Sequence, residues 1–367
     1  MHYYVWLRLA HDPALPQPWP AVLAVLLGLL GLSVFLAFAR ALPKPVAAVV
    51  HEVAFTWFGV LFLLDTTLAL GDLARTIFFA SARALTLAPE APLAAARTQA
   101  WATVAVAMGL CAFAWWSAHR EPALVEVPVK LAGWPRALQG LRIVQLSDVH
   151  VSPSTRAAQM RRLVERVNAL SPDLVALTGD LVDGTPRLLA DAVAPFGELR
   201  ARLGVYFVTG NHEYYSGGDA WVTEFRRLGL RVLQNERVSL HDRGATFDLV
   251  GVPDWTGHQF GPAHRANLAG TLAGHDPATP SILLAHQPRQ FPEAAKLGVS
   301  LQLSGHTHGG QIWPFTLVVG LVEKRLAGLH REGGSQLYVS RGTKYWGPPM
   351  RLGARHELTL LTLEAAS

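Results

Sequence analysis

Acidic and imidazole side chains gather in five short stretches of the chain, each at the end of an apolar run. Asp148 and His150 follow "LRIVQLS", Asp180 and Asp183 stand in "TGDLVD", and Asn211, His212 and Glu213 in "TGNHEYY". His286 closes "SILLAH", and His306 and His308 lie in "LSGHTHGGQ". A protein interior normally excludes such groups. In an extended segment residues i and i+2 point to the same side, so Asp148 and His150 are expected to reach one point just past a strand's end. Taken alone, Ser147 and Asp148 read more simply as the cap of a following helix with His150 as a surface loop residue, and any single histidine as a structural residue. The set as a whole, carboxylates with an amide oxygen, several imidazoles and no thiolate, suits hard or borderline divalent ions such as manganese, iron or zinc. It exceeds what one ion takes, and two ions sharing a carboxylate are a device for hydrolysing phosphate esters.

Such side chains converge only if the runs that carry them are strands of a layered sheet, because ligands collect outside the carboxyl ends of strands. Eight runs read as strands, several buried on both faces: "LRIVQLS", "LVALTGD", "VYFVTGN", "TFDLVGV", "SILLAHQ", "LQLSGH", "QLYVSRG" and "ELTLLTL". "AAQMRRLVERVNAL" and "WVTEFRRLGL" between the early ones have helical periodicity. The alternation predicts an α/β layered domain over residues 121–367.

Taken in order, Asp148-Val-His150, Gly179-Asp180-Leu-Val-Asp183, Gly210-Asn211-His212-Glu213, a later His286 and Gly305-His306-Thr307-His308 resemble the calcineurin-like metallophosphoesterase superfamily. The resemblance covers about residues 140–365. It implies an α/β/β/α sandwich and two divalent ions. One would be held by Asp148, His150, Asp180 and His308, the other by Asp180, Asn211, His286 and His306, with Asp180 bridging. His212 is implied as the group that protonates the leaving oxygen or binds the phosphoryl group, with Asp183 and Glu213 orienting the ligands. The longer stretches "GHTHGGQIWP" and "SRGTKYWGPPMRLGARHELTLLTL" are similar to a membrane-associated bacterial branch that also contains UDP-2,3-diacylglucosamine hydrolases. Arg341 and Lys344 could grip a phosphate or be solvated loop charges, and Tyr214, Tyr215, Trp255 and Trp346 could line a leaving-group pocket, though apolar wall is the default role of such residues. His241, His258, His264, His275, His330 and His356 match no motif and read as surface or packing residues.

Residues 1–120 have a different texture. The stretches 21–39, 53–71 and 98–118 are long and apolar enough to cross about 30 Å of hydrocarbon as helices. Asp65 interrupts the second, and is expected to bond a neighbouring helix. "TIFFASARALTLA" is short and carries Arg83, so it reads as a separate interfacial or loop helix. "MHYYVWLRLA" resembles the aromatic end of a further helix rather than a cleaved signal. Seven of the 32 basic and five of the 27 acidic residues lie in residues 1–120, and neither part has the basic excess of a nucleic-acid binder. Cys111 is the sole cysteine, which excludes a disulfide framework. The expectation is an integral protein of a bacterial cell membrane whose substrate is a phosphoester, lipid-linked by preference. Basic residues flanking the spans place the catalytic domain on the cytoplasmic side by five to four. A soluble nucleotide or phosphoprotein substrate, and a non-catalytic receptor for a phosphorylated ligand, are the rival readings.

Overall fold

The computed structural model describes residues 1–37, 42–84 and 92–366. The chain divides into two compact units, Met1–Arg120 with Gly347–Leu352, and Glu121–Trp346 with Gly353–Ser367.

The first unit is helical. α1 (His2–Trp6) runs into a π-helical turn, Leu7–His11, and three long helices follow: α2 (Trp19–Leu36), α3 (Lys44–Ala84) and α4 (Pro92–His119). All three are long and apolar enough to cross a membrane. Val5, Leu27, Leu61 and Leu68 are buried together where they pack. Residues 38 and 39 of the first expected span lie outside the described residues. The stretch expected as a separate interfacial helix is instead continuous with α3 as far as Ala84, and its remaining residues, 85–88, lie outside the description. The physical reason is Asp72. Its charge marks the edge of an apolar span, yet Tyr4 Oη (2.6 Å), Arg8 Nε (2.9 Å), Gln99 Nε2 (2.7 Å) and Arg75 Nη2 (3.3 Å) all donate to its carboxylate. A carboxylate so satisfied does not break the helix. Asp65, expected to bond a neighbour, instead buries Oδ2 without a hydrogen-bond partner among the described residues.

The second unit has twelve strands in two six-stranded sheets. The first has the order β1 (Ala123–Leu131), β12 (Glu357–Ala365), β2 (Leu141–Leu146), β3 (Leu174–Leu177), β4 (Val205–Phe207), β5 (Arg231–Val232). The second has the order β10 (Gly328–Glu332), β11 (Ser335–Val339), β9 (Leu301–Ser304), β8 (Ser281–Leu284), β7 (Ala245–Gly251), β6 (Glu236–Asp242). β2 to β5 are mutually parallel, as are β7, β8, β9 and β11, while β6 and β10 pair antiparallel at the two edges of their sheet.

Alternation along each strand sorts its side chains into two cores. Ile143, Ala176, Phe247, Leu249, Ile282, Leu303 and Leu361 fill the space between the sheets. Their neighbours Val144, Val175, Leu177 and Leu360 face the other way, under α5 (Ala157–Ala169), α6 (Pro186–Val193) and, past the short α7 (Asn211–Tyr215), α8 (Gly218–Arg227). Val250, Leu283, Leu337 and Val339 pack beneath α9 (Leu268–Thr271) and α10 (Phe291–Lys296). α11 (Phe315–Val322) buries none of its residues. The result is the expected α/β/β/α sandwich with an N-terminal helical region.

The eight sequence-read strands are all present. Four were not read as such: β1, within a run seen only as β-rich, and the short or edge strands β5, β6 and β10. Edge strands alternate toward solvent and lack the continuous apolar run that marks a strand buried on both faces; β10 runs intermediate, exposed, intermediate, exposed, intermediate.

Phe247 is fully buried between the sheets, its ring 5.4 Å from that of Trp134. Phe247→Ala is expected to cost about 3–5 kcal/mol of domain stability, measured by denaturant titration followed by tryptophan fluorescence.

Candidate metal centre

The candidate ligands sit in loops at the carboxyl ends of β2, β3, β4, β8 and β9. The loops after β2 and β3 run side by side: Asp148 N donates to Gly179 O (3.0 Å), His150 N to Asp180 O (3.0 Å) and Val151 N to Leu181 O (2.8 Å). Asp148 and His150 do converge, though not through the extended geometry expected of them. Both have left-handed backbones (φ 54° and 47°), as have Asp180 (54°), His306 (73°) and His308 (51°). Residues other than glycine avoid this region unless the surroundings impose it, at a cost of about 1–3 kcal/mol each. Two motif glycines matter for a different reason. A Cβ on Gly210 would fall 2.1 Å from Asp180 Oδ1, and one on Gly305 would fall 2.1 Å from Asp148 Oδ2. The loops approach so closely that only hydrogen fits between backbone and carboxylate.

Three groups of donor atoms each lie within 4.8 Å: Asp148 with His150 and His308, His150 with Asp180 and His212, and Asp180 with His286 and His306. Within them, His150 Nε2 is 3.0 Å from His308 Nε2 and 3.8 Å from Asp180 Oδ2, and His308 Nε2 is 3.4 Å from Asp148 Oδ1. On the other side of Asp180, His286 Nε2 lies 3.1 Å from Oδ2 and 3.3 Å from His306 Nδ1. Ligand atoms around one ion with bonds of about 2.1 Å stand roughly 3.0–3.4 Å apart, so these spacings fit. Two further observations favour cations. His286 Nδ1 is engaged with Thr178 O at 2.8 Å, which commits Nε2 to the cluster, and Asn211 Oδ1 is buried without a hydrogen-bond partner. A buried amide oxygen so exposed to its neighbours is costly unless something positive faces it.

The surrounding hydrogen bonds fix these groups. Glu213, fully buried, accepts from the backbone N–H of Gly210 (2.6 Å), Asp180 (3.0 Å) and Leu181 (2.7 Å), tying the β3 and β4 loops together. Asp183 Oδ1 meets two imidazoles, His150 Nδ1 at 3.0 Å and His212 Nδ1 at 2.6 Å. Asp148 accepts from His306 N, and Asp180 Oδ1 from His212 N at 2.8 Å.

The charges are strongly coupled. Burial opposes ionisation of Asp180, but the imidazoles of His286, His212 and His150 outweigh it and hold its carboxyl well below the usual range. Asp183 is likewise held low against burial, by His150 and His212. Burial lowers His212, yet Asp180 and Asp183 together raise it to about 9. His286 is held above its ordinary value because Asp180 overcomes burial, whereas burial and the charge of His286 depress His306. Burial and then Asp180 push Glu213 up to about 7.

The other sequence candidates fall nearby or outside. Arg341 is paired with the buried Glu357 (3.1 Å), and Lys344 Nζ lies 3.4 Å from Thr155 Oγ1 while its N–H donates to Asp148 O. The His212 ring is flanked edge-on by Tyr215 (5.3 Å) and Trp346 (5.5 Å). Tyr214 is buried and bonds Thr209, and Trp255 is exposed. His241, His258, His264, His275, His330 and His356 join none of the donor groups found among the described residues. Sequence reading missed Asp254 and Gln287. Asp254 is fully buried, with Gln287 Nε2 donating to both of its oxygens at 3.0 Å, and its charge helps to raise His286. Its signal was present: Asp254 also follows an apolar run, "TFDLVGV".

A family model described as calcineurin-like phosphoesterase matches residues 141–310. An uncharacterized metallophosphoesterase of Aquifex aeolicus is 33% identical over 229 residues, 61% of this chain and 85% of that protein. The chain belongs to the calcineurin-like phosphoesterase family. Its matched region is therefore a metal-dependent phosphoester hydrolase domain. A bovine "transmembrane protein with metallophosphoesterase domain" is 41% identical over 263 residues, 68% of this chain. The match spans 59% of the bovine protein's length. A dimetal phosphatase of Danio rerio superposes with a TM-score of 0.42 at 14% identity, over 61% of this chain and 99% of that one.

In this calcineurin-like chain, Gly305→Ala would drive a methyl group into Asp148. It is expected to lower divalent-metal affinity by about 10–100-fold with the fold retained, checked by metal titration and circular dichroism.

Proposed function

We propose that the chain is a membrane-anchored dinuclear metal phosphoesterase, residues 1–120 forming the anchor and 121–367 the hydrolase, acting on a phosphoester or pyrophosphate bond of a lipid or nucleotide-linked lipid. The observation that carries the dinuclear reading is the position of Asp180, whose Oδ2 stands between His286 Nε2 (3.1 Å) and His150 Nε2 (3.8 Å). Asp148, His150, Asp180 and His308 would hold one ion, and Asp180, Asn211, His286 and His306 the other. Manganese, iron and zinc all suit this donor set. Bound there, two divalent ions would supply Lewis acidity toward the phosphoryl oxygens and lower the pKa of water at the site.

The chain's own groups do the rest. Asp183 engages Nδ1 of His212, so Nε2 is the nitrogen left to act. With Asp183 engaging Nδ1 and favouring the protonated ring, Nε2–H can donate a proton to the oxygen of the departing group as the bond to phosphorus breaks. Asp183 also restrains His150, and Glu213 fixes the β3 and β4 loops through three backbone donors. Tyr215 and Trp346 confine the His212 ring and offer an apolar wall to the leaving group.

Three apolar helices and a relative named as a transmembrane protein support the anchor. Their joining to a hydrolase domain supports an amphiphilic substrate, of the kind processed by the bacterial UDP-2,3-diacylglucosamine hydrolases that the 305–314 and 340–363 stretches resemble. We place the protein in a bacterial cell membrane with its catalytic domain on the cytoplasmic side, on the weak excess of basic residues there; a reporter fused to the C-terminus tests it. A panel of lipid and soluble phosphoesters, run on the full chain in vesicles, separates the lipid substrate from a soluble one.

Two substitutions test the site. Asp180→Asn removes the charge serving both ions and is expected to abolish metal-dependent hydrolysis of an aryl phosphoester and lower metal content; unchanged turnover refutes the dinuclear reading. His212→Asn is expected to keep its metal while turnover falls by about two to four orders of magnitude. Parallel loss of metal would make His212 a ligand.

A further inference from the structure

α11 has the polarity of an ordinary surface helix turned inside out. A helix on a globular domain sets its apolar arc against the core and its polar arc toward water. In "FTLVVGLV" the outward arc carries Leu317 (63% exposed), Val318 (51%), Leu321 (85%) and Val322 (70%), with Phe315 at its edge (45%). Thr316, the polar residue of the helix, is only half-exposed, and a Cβ on Gly310 would run into it. An outward arc of this kind marks an interaction surface.

We propose that α11 is a membrane-insertion element, lying in the bilayer interface with the Leu317–Leu321 arc among the acyl chains. The inference rests on the membrane-anchored reading above and adds a second, monotopic contact made by the catalytic domain itself. Three observations choose lipid over protein as the occupant. The chain already carries three helices apolar enough to span a bilayer. Only Arg120, Glu121 and Pro122 separate the end of α4 from the start of β1, so a domain carried on a membrane-spanning α4 stays at the lipid surface. Exposed Trp313 and Lys324 bracket the helix, the aromatic and basic pair that suits the headgroup layer at either end of an inserted segment.

The placement has a consequence for the site. α11 begins seven residues after His308. Between them Gln311 exchanges two hydrogen bonds with the backbone of Trp346 (2.8 and 2.9 Å), whose ring flanks His212. Exposed Trp346 and Tyr215 flank the His212 ring (5.5 and 5.3 Å), and exposed Trp313 lies between Gln311 and α11 in the chain. Inserting α11 therefore sets the mouth of the metal site at headgroup depth.

The test uses the full, metal-loaded chain in phosphatidylethanolamine–phosphatidylglycerol vesicles. Leu321→Cys in a Cys111→Ser background is labelled with an environment-sensitive fluorophore, and Arg227→Cys serves as the reference. The expected result is blue-shifted emission at position 321, quenched by doxyl-labelled lipid, with neither effect at 227. In parallel, Leu321→Glu is expected to lower kcat/KM on a long-chain phosphoester by about tenfold, the worth of one leucine withdrawn from hydrocarbon, while the rate on a soluble aryl phosphate is unchanged. Water-like emission at 321 overturns the proposal. So does a shifted probe that lipid does not quench and that responds to protein density, which marks a second copy as the occupant. If the unmodified chain hydrolyses neither ester, the phosphoesterase reading has failed, and the quenching result still decides where α11 lies.

Discussion

A carboxylate with 2% of its surface exposed cannot stay ionised in this domain unless positive charge surrounds it, and Asp180 is such a group. His286, His212 and His150 converge on it from three different loops, and His212 N–H adds a hydrogen bond. That demand organises the site. The β4 loop must approach close enough for Gly210 to lie against Asp180, Glu213 must pin both loops through the backbone, and β8 must end where His286 Nε2 can reach. Removing Asp180's charge would leave several imidazoles crowded together with nothing to balance them.

The same demand is met at the expense of local stability. Five of the candidate ligands have left-handed backbones, and an amide oxygen, Asn211 Oδ1, is buried without a partner. None of this helps the chain fold. What holds the loops in such conformations is the rigidity beneath them: parallel strands buried on both faces, two apolar cores on either side of the first sheet, and a third under α9 and α10. Strain of this kind survives only where the scaffold over-determines it. Its concentration at the ends of β2, β3 and β9 is itself a sign of a functional site.

The central strands were legible because each is apolar on both faces and ends abruptly in a polar residue, so one pattern gave both the strand and the ligand. β5, β6 and β10 were not, because they are short or alternate toward solvent and carry no ligand at their ends. The pairing of Asp148 with His150 was legible while its mechanism was not. Periodicity supplied an extended i, i+2 geometry, but the backbone turns left-handed at both residues, and that turn is held by hydrogen bonds to carbonyls of the β3 loop, about 30 residues away in sequence. Asp254 escaped because its motif is a lone residue, and its partner Gln287 comes from a different strand end. In the helical unit the apolar runs were plain, but the extent of α3 was not, since what carries the helix past Asp72 is a set of donors from α1, the π-helical turn and α4 that no local pattern reveals.

Asp72 and Asp180 also show how a structural carboxylate differs from one poised for chemistry. Asp72 is partly buried and Asp180 almost wholly so, and both are met by several donors. At Asp72 the donors are an arginine pair, a phenol and an amide, groups with fixed protons, each pointing at a carboxylate oxygen, although Gln99 Oε1 is itself buried without a hydrogen-bond partner among the described residues. At Asp180 the partners are imidazoles, which can yield their protons, and the ring nitrogens of His150 and His308 face one another at 3.0 Å, an arrangement two neutral acceptors would not hold without a proton or a cation between them. The leftover acceptor at Asn211 points the same way. A cluster whose donors keep their protons is finished as it stands, whereas one in which imidazole nitrogens with exchangeable protons face one another suits cations in place of the protons. By that criterion the first cluster suits packing and the second a metal site, although sequence alone presents both as an acid at the edge of an apolar run.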